Sequence, residues 1–529
     1  MSKVADPYVR RQADVPALTD FSRTPYFKVG KASDLAGFDR FLYRSFEMLP
    51  GALSWGTIIF VFLLSYFMPT YSAFFIIAFN FYWVAKSAYF SFHLRYNWKR
   101  VKHNLAADWE SKLSAHPYTH LRHLILLPFY NEEKEIVERN LKSLLEARYE
   151  HAHMFVVLAG EERAGDGARE IGRRMLEKYS GRFGDLIFTV HPSGVPGELA
   201  GKGANISYAI EEARKRILDK RQIAYRDVIV SAFDIDTIVY PDYFLCLTWH
   251  FLTAPDPHRS SFQPVPLFNN NIWLAPAFSR VVSYSGSIWQ MIQQERPERL
   301  YTFSSHSISF LALWRVGYWQ KNIVPEDSRI FWNAFFAFGG DYKVVPLSYP
   351  VSLDAASAPS FWQTVKNVYK QQRRWSWHAD IIPYMLMGFL KSQVFSFRKA
   401  FISVFAELER IWSLATNPVL LILLSWMPLV LGGGGFQSTV LFYNMPLFSK
   451  FISVAALMGL GVSAAVSFSF LPPPPAGLPR RRKLWMILQW LLVPITLIAF
   501  GSLPALDAQT RLMLGKYMGF WATPKYHNS

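Results

Sequence analysis

The chain has 529 residues, of which 51% are hydrophobic and 17% aromatic, yet its formal net charge is +17. That combination does not fit a single soluble globule and is typical of a membrane protein with a basic, water-facing side. A nucleic-acid binder is disfavoured, because the aromatic residues lie mainly in long apolar blocks rather than among basic tracts. Cys246 is the only cysteine, which excludes an internal disulfide framework.

Near the N-terminus, two apolar runs predict a transmembrane hairpin. The first extends from about 49 to 67, Met68-Pro69-Thr70 breaks it, and the second extends from about 71 to 92. Each run has about the 20 residues that a bilayer span needs. Basic residues flank both open ends, which places both ends in the cytoplasm. Lys86 lies inside the second run, either as a functional group or, the favoured interpretation, as a side chain that reaches to the interface.

Between about 104 and 380, short apolar runs alternate with charged stretches. The alternation predicts strands at 123–127, 154–158, 186–190 and 228–233, and helices at 132–148, 166–180 and 204–219. It indicates an α/β domain with a mostly parallel sheet, in which ligands bind at the carboxyl ends of the strands.

After the soluble region the chain becomes apolar again, with spans predicted at 411–431 and 451–471 and a further apolar run at 484–503. Before these spans, residues 381–410 have the composition of amphipathic helices that lie on a membrane surface. No cleavable signal peptide is evident at the start of the chain. We expect six parts, namely 1–48 (cytoplasmic segment), 49–95 (hairpin), 104–380 (catalytic domain), 381–410 (interface helices), 411–503 (transmembrane or interfacial helices) and 504–529 (tail).

The predicted strand at 228–233 ends in two carboxylates, Asp234 and Asp236. Because side chains alternate along a strand, the two share one side. Two carboxylates on one side repel each other unless a cation lies between them. Mg²⁺ or Mn²⁺, which takes oxygen ligands and bridges to phosphates, is the natural occupant. Paired aspartates are also common in surface turns.

Three further motifs occur in the same domain. Tyr130 and Glu132 follow the first strand, where they can meet a base ring and a nucleotide. Lys202, flanked by glycines before a helix, can approach phosphates. Glu326 and Asp327 precede another helix, and a carboxylate there can act as a general base. Each motif alone is also compatible with an ordinary loop or helix start.

A last motif, at 371–375, reads Gln-Gln-Arg-Arg-Trp. Gln371 and Arg374 share one helical face, and arginine binds diphosphate through its forked guanidinium. Trp375 offers a stacking surface for a sugar ring. A basic helix on a membrane surface is the alternative interpretation.

In this order, and followed by spans, these motifs resemble those of membrane-embedded family 2 glycosyltransferases in the cellulose, chitin and hyaluronan synthase group. The resemblance covers roughly 120–380. It implies a GT-A catalytic domain (α/β, Rossmann-like, mostly parallel sheet) inserted between N- and C-terminal α-helical transmembrane segments. It also implies inverting, metal-dependent transfer from a nucleotide sugar, a UDP-sugar, to a growing polysaccharide. The enzyme would lie in the plasma membrane with its catalytic domain in the cytoplasm and would extrude the polymer.

The resemblance also implies a role for each motif residue. Asp327 would deprotonate the acceptor hydroxyl, Asp236 would hold Mg²⁺ or Mn²⁺, and Trp375 would stack near the acceptor sugar. Glu326 and His306 would line the acceptor pocket, although His306 is also compatible with a packed core histidine. The nucleotide and its diphosphate would be held by Tyr130, Glu132, Lys202, Asp234, Gln371 and Arg374.

The tail sequence Phe520-Trp521-Ala522-Thr523-Pro524-Lys525 resembles the Phe-x-Val-Thr-x-Lys gating loop of cellulose synthases. Such a lid, built on Phe520, Thr523 and Lys525, closes over bound nucleotide and has to be cytoplasmic. Five spans would place it outside, so we favour four spans, with 484–503 interfacial or re-entrant. The usual acidic pair after the second strand is absent, and Glu161 is the candidate replacement.

Two other functions are compatible with the sequence. The first is a non-processive transferase that moves one sugar to a lipid carrier, which product length would distinguish. The second is a membrane transporter or scaffold whose domain only binds nucleotide. That alternative predicts that Asp327→Asn leaves function intact.

Overall fold

A single eight-stranded sheet lies at the centre of the fold, in a computed structural model that describes residues 18–475, 477 and 485–524. Its spatial order is β3-β2-β1-β4-β7-β6-β8-β5. The strands are β1 (Arg122–Pro128), β2 (Met154–Glu161), β3 (Asp185–His191), β4 (Val228–Ala232), β5 (Ile238–Val239), β6 (Ser260–Leu267), β7 (Ser307–Ser309) and β8 (Lys343–Ser352).

The expectation of a mostly parallel sheet is confirmed for β1 to β4, whereas the rest of the sheet is mixed, with β6 and β8 parallel to each other. β1 pairs in parallel with β2 and β4, and β2 with β3. β7 is antiparallel to both of its neighbours, β4 and β6, and β5 is antiparallel to β8. β5 and β7 have only two and three residues, too few for a sequence period. β6 and β8 each contain two prolines, which argue against a strand in sequence.

Helices cover both faces of the sheet. Leu124 and Leu126 of β1 belong to the hydrophobic cluster on one face, and Ile125 and Leu127 to the cluster on the other. A strand buried on both faces has a continuous apolar sequence, as β1 does. The helices are α1 (Gly37–Phe67), α2 (Pro69–Ala106), α3 (Trp109–Leu113), α4 (Lys134–Glu146), α5 (Gly165–Tyr179), α6 (Lys202–Ala213), α7 (Tyr243–Thr253), α8 (Ala277–Gln294), α9 (Phe310–Arg315), α10 (Glu326–Ala337), α11 (Phe361–Ser376), α12 (Ile381–Lys391), α13 (Phe397–Ile422), α14 (Met427–Leu431), α15 (Gly433–Gln437), α16 (Val440–Ser469), α17 (Val493–Leu497) and α18 (Leu503–Met513).

α1 and α2 form a helical hairpin that turns at Met68. Both helices extend beyond the predicted 49–95, because their polar ends pack on protein. Arg44 in α1 donates a hydrogen bond to the backbone carbonyl of Leu512 at 2.8 Å. The buried carboxylate of Glu47 accepts a hydrogen bond from the Tyr517 hydroxyl, also at 2.8 Å. The start of the hairpin is thereby tied to the C-terminal part of the chain.

Within 381–410, α12 packs on protein, whereas the start of α13 exposes Phe397, Phe401 and Phe405, so the expected interface helices stay a prediction there. Ile381 and Met385 in α12 are fully buried in the cluster on one face of the sheet. α13 runs through the expected boundary at 410 and continues to Ile422, where it bends by 45° into the next helix. An amphipathic pattern is the same whether the apolar face meets lipid or protein, so sequence alone does not separate the two.

Within the described residues, three helices are long and apolar enough to cross a membrane: Gly37–Phe67, Pro69–Ala106 and Trp485–Met513. The bent pair Phe397–Ile422 and Leu424–Leu431 makes a fourth if it is counted as one span. α16 covers the predicted span at 451–471 as far as Ser469, and nine of the 21 side chains at 451–471 lie outside the described set. Membrane association is indicated by these helices, whereas the choice between four and five spans stays a prediction.

Candidate active site

Asp234 and Asp236 line one cavity just beyond the carboxyl end of β4. One oxygen of Asp234 accepts a hydrogen bond from Lys202 Nζ at 2.7 Å, and the other accepts one from the Ser304 hydroxyl at 2.5 Å. Asp236 is fully buried, and its Oδ2 accepts a hydrogen bond from the backbone N–H of Asp354 at 2.9 Å. The two carboxylates therefore face a common space, one partly open and one enclosed.

Lys202 links the two carboxylate motifs. Its Nζ lies 2.8 Å from Asp327, 2.7 Å from Asp234 and 4.0 Å from Glu326. Burial alone would lower the pKa of this ammonium, but the nearby carboxylates of Asp234, Asp327 and Glu326 outweigh burial and raise it. The sequence suggested a phosphate ligand, whereas in the structure three carboxylates surround the charge. Lys202 is thus a permanent cation between the Asp-x-Asp pair and the candidate base.

Glu326 and Asp327 begin α10 and both line the cavity. Glu326 is 2% exposed, and burial together with the neighbouring Asp327 raises the pKa of its carboxyl to about 8. The Asp327 side chain is more open, at 21% exposed. A protonated Glu326 can donate a hydrogen bond, and an ionised Asp327 can accept a proton, so the adjacent acids have different chemical capacities.

We expect Glu326 to hold its proton at pH 7 and to lose it with a midpoint near 8. The folded chain keeps a proton that the unfolded chain loses near 4.5, so this carboxyl makes folding less favourable as the pH rises between these values. Infrared spectra should show a protonated-carboxyl band that titrates with this midpoint and disappears in Glu326→Gln. The exposed Glu150→Gln is the control. An unchanged band in Glu326→Gln would assign the proton elsewhere.

His306 lies beneath the cavity and does not line it. It is fully buried, its Nδ1 is 2.7 Å from the carbonyl of Phe303 and 3.8 Å from Asp327 Oδ1. Burial lowers the pKa of its imidazole. His306 therefore lies behind the candidate base, Asp327, and does not reach the predicted acceptor pocket. This agrees with the alternative that His306 is a packed core histidine.

Tyr130 and Glu132 line the other end of the same pocket, after β1. The Tyr130 backbone N–H donates a hydrogen bond to Glu132 at 2.6 Å. The Arg163 guanidinium lies over the Tyr130 ring at 4.4 Å and pairs with Glu161, which is also on the cavity wall. Sequence reasoning missed Arg163, because it stands in a charged stretch that resembles an ordinary solvated loop.

The α11 motif also reaches the cavity, since Gln371, Arg374 and Trp375 all line it. Gln371 is 5% exposed, and Arg374 Nε has no hydrogen-bond partner among the described residues. Trp375 is 39% exposed, and its ring lies 6.0 Å from that of Phe268. The motif thus offers an amide, a guanidinium and an open aromatic face to one space.

The tail lies across the same site. Phe520 packs on Gly201, where an added Cβ would come within 2.6 Å of the ring. The Arg374 guanidinium lies 5.1 Å from the centre of the Phe520 ring. Thr523 is 7% exposed and lines the cavity. The third residue of the predicted lid, Lys525, lies outside the described residues.

The cavity has a volume of about 1630 Å³ and extends well beyond these motifs. From the carboxylates it continues between α2, α8 and α13, reaching Asn80, Asn417 and Trp426. Lys86 also lines it and forms an ion pair with Glu409 in α13. Lys86 therefore has a charged partner on the cavity wall, and its position relative to the membrane interface stays a prediction. The carboxylate of Glu409, which the sequence around Lys86 does not indicate, holds the Lys86 ammonium in the cavity.

No group of three or more His, Cys, Asp or Glu side chains is arranged to hold a metal ion in the described part of the chain. Mg²⁺ at phosphate-transfer sites is commonly bound through one or two carboxylates together with substrate phosphates. Asp234 and Asp236 supply two hard-oxygen side chains on one wall, so the residues present are compatible with that mode of binding.

Several solved glycosyltransferases resemble this fold. A mannosyltransferase from Pyrobaculum calidifontis in complex with GDP-Man and Mn²⁺ is 15% identical, with a TM-score of 0.41 over 84% of this chain and 100% of that chain. S. aureus TarS in complex with UDP-GlcNAc is 12% identical, with a TM-score of 0.34 over 75% of this chain and 93% of that chain. GalNAc-T7 with UDP, GalNAc and Mn²⁺ is 11% identical, with a TM-score of 0.32 over 56% of this chain and 58% of that chain.

No protein-family model matches the sequence, and neither does any curated protein. At identities and TM-scores as low as those of the three structures, a likeness carries no argument about activity. The functional assignment has to come from the residues of the cavity.

Proposed function

We propose that this chain is a membrane-embedded, metal-dependent inverting glycosyltransferase. It transfers a sugar from a nucleotide sugar, a UDP-sugar, to a growing saccharide. The observation that carries the proposal is the single cavity that joins Tyr130, Asp236, Asp327 and Trp375 and continues between the helices. A donor site, a base and an acceptor site need to share one space, and a polymer needs a way out of it. We place the catalytic domain on the cytoplasmic side of a plasma membrane.

We assign the part of the cavity around β4 to the nucleotide-sugar donor, which gives the charged groups there a role. The nucleobase is assigned to Tyr130, whose ring already has a guanidinium over it. The diphosphate is assigned to Gln371 and Arg374, which both line the cavity. Asp236 would hold Mg²⁺ or Mn²⁺, which neutralises charge on the departing diphosphate when bound, and Asp234 would face the nucleotide.

The reaction at the centre is a single displacement. An acceptor hydroxyl attacks the anomeric carbon, the bond from that carbon to the diphosphate oxygen breaks, and the nucleoside diphosphate leaves with the bonding electrons. Asp327 takes the hydroxyl proton, because it is the accessible carboxylate beside the protonated Glu326. Lys202 is held between Asp327 and Asp234 and supplies a fixed positive charge close to the groups on which negative charge changes during the reaction.

The wall beyond the catalytic residues supports saccharide extension. Trp83, Tyr301 and Trp332 line it with aromatic side chains. Such side chains offer flat faces on which sugar rings stack. This favours a polymer in the cavity over the tail of a lipid carrier.

Trp375→Ala is expected to leave hydrolysis of the donor intact and to lower transfer to a saccharide acceptor by about tenfold or more. The open ring gives a sugar a stacking face, and donor binding does not need it. Released nucleotide and labelled product should be measured in parallel. Trp362→Ala is the matched control, because Trp362 lies in the same helix, is 72% exposed and is not on the cavity wall. Undiminished transfer in Trp375→Ala would remove the stacking role.

The proposal is tested with purified protein in lipid nanodiscs and a panel of radiolabelled UDP- and GDP-sugars. We expect one UDP-sugar to be turned over, with release of UDP, only when Mg²⁺ or Mn²⁺ is added. Absence of turnover with every donor, or turnover that chelation does not affect, would contradict it.

A further inference from the structure

The short turn after the Gln-Gln-Arg-Arg-Trp motif contacts the start of the helix that carries the candidate base. This turn, Trp377–Asp380, follows α11 directly, and Asp327 is the second residue of α10. The next residue, Ser328, places its Oγ 2.7 Å from Nδ1 of His378 in the turn. The Ser328 hydroxyl also donates a hydrogen bond to the carbonyl of Pro325, just before the helix, at 3.2 Å. A buried hydrogen bond thus joins the turn to the neighbour of the base.

A second contact joins the same two segments. Arg329, the residue after Ser328, is fully buried and donates a hydrogen bond to the carbonyl of Asp380 at 3.4 Å. Its guanidinium also lies 3.6 Å from Oδ2 of Asp380. Two successive residues of α10 therefore contact two residues of one turn, and that turn continues the helix of the Gln-Gln-Arg-Arg-Trp motif.

The imidazole of His378 is held on its other sides by two further segments. Its ring is stacked on Tyr301, with the ring centres 5.1 Å apart and the planes inclined by 5°. Its Nε2 lies 3.5 Å from Oε2 of Glu407 in α13, and that oxygen accepts hydrogen bonds from Arg410 at 2.7 and 3.0 Å. A side chain restricted in this way can fix the position of a neighbour such as Ser328.

His378 is a poor candidate for the base itself. Burial lowers the pKa of its imidazole to about 4, so the ring is neutral at pH 7 and binds a proton weakly. Its Nδ1 is engaged by Ser328 and its Nε2 faces Glu407. The geometry therefore favours a structural effect of His378 on Asp327 over proton transfer by His378.

We propose that His378 is a positioning residue, which acts through Ser328 to hold Asp327 where it can take the proton of the acceptor hydroxyl. Such placement matters, because a displacement of about 1 Å at a catalytic group can lower the rate about a hundredfold. The inference rests on the proposed function, since it takes Asp327 to be the base.

Two substitutions at His378 separate the effects of its two nitrogens. The side-chain amide of asparagine takes about the place of Nδ1, and that of glutamine takes about the place of Nε2. His378→Asn should therefore keep the hydrogen bond to Ser328 and retain kcat within about threefold. His378→Gln should lower kcat by about tenfold to a hundredfold and leave the KM for the donor unchanged. His120→Gln is the control, because His120 is exposed, precedes β1 and is not on the cavity wall.

Ser328→Ala tests the same hydrogen bond from its other end. It should lower kcat as much as His378→Gln does, and the double variant should show no further loss, because both changes remove one interaction. This variant removes a single oxygen atom, so it keeps the inference testable even where His378→Gln does not fold.

Three results would overturn the inference. One is a loss of kcat in His378→Asn as large as that in His378→Gln, and another is a double variant in which the two losses multiply. The third is unchanged kcat in Ser328→Ala. Failure of the proposed function would appear separately, as absence of sugar transfer by the unaltered protein from every donor.

Discussion

Asp327→Asn is expected to lower kcat by about a thousandfold. The substitution preserves the shape of the side chain and removes its capacity to take the acceptor proton. Glu326 is a poor replacement, because burial, the main cause of the raised pKa of its carboxyl, remains in the variant, whereas the part contributed by the Asp327 charge is lost. Steady-state transfer with the cognate donor measures kcat, and calorimetry with the nucleoside diphosphate measures donor-site binding. The second quantity should change by less than about tenfold.

Asp341→Asn is the matched control for this prediction. Asp341 follows the far end of the helix that begins with Glu326 and Asp327, its side chain is 63% exposed, and it pairs with Arg259 outside the cavity. Turnover of Asp327→Asn within about tenfold of the unaltered protein would show that another group is the base. A binding-only transporter or scaffold also predicts that unchanged result.

The second large effect is expected for Asp236→Asn, which should reduce metal-dependent turnover by about a thousandfold. Asparagine can still accept the hydrogen bond from the Asp354 backbone N–H, so the local structure is retained. The lost charge weakens the hold on Mg²⁺ or Mn²⁺. Calorimetry with UDP should show that Mn²⁺ strengthens nucleotide binding to the unaltered protein and not to the variant.

Asp185→Asn provides the control, since Asp185 begins β3 at the opposite end of the sheet and pairs with Arg221. That variant should keep both metal-dependent turnover and metal-dependent UDP binding. If Asp236→Asn kept them as well, the metal would have to be assigned to other groups.

Sequence patterns predicted those parts of the site that lie next to regular elements. β1 to β4 are recognisable because long buried strands have continuous apolar sequences. Asp234 and Asp236 follow such a strand, and Glu326 and Asp327 begin a helix. The α/β pattern therefore predicts that these carboxylates lie near the carboxyl ends of the strands. These groups line one cavity, and their roles in it stay predictions.

Contacts between distant segments could not be predicted in the same way. The partners of Lys202 come from positions 32 and 125 residues further along the chain, and nothing in its glycine-flanked loop indicates them. Lys86 pairs with Glu409, 323 residues away.

The most direct test of the central claim is the size of the labelled product. Purified protein in nanodiscs would be given its radiolabelled donor and Mn²⁺, with and without lipid extract, and the products would be separated by solvent extraction and gel filtration. We expect label in long, water-soluble material that forms without added lipid and is cleaved by a glycosidase. Label confined to an organic-soluble species carrying one sugar would contradict polymer extension through the cavity.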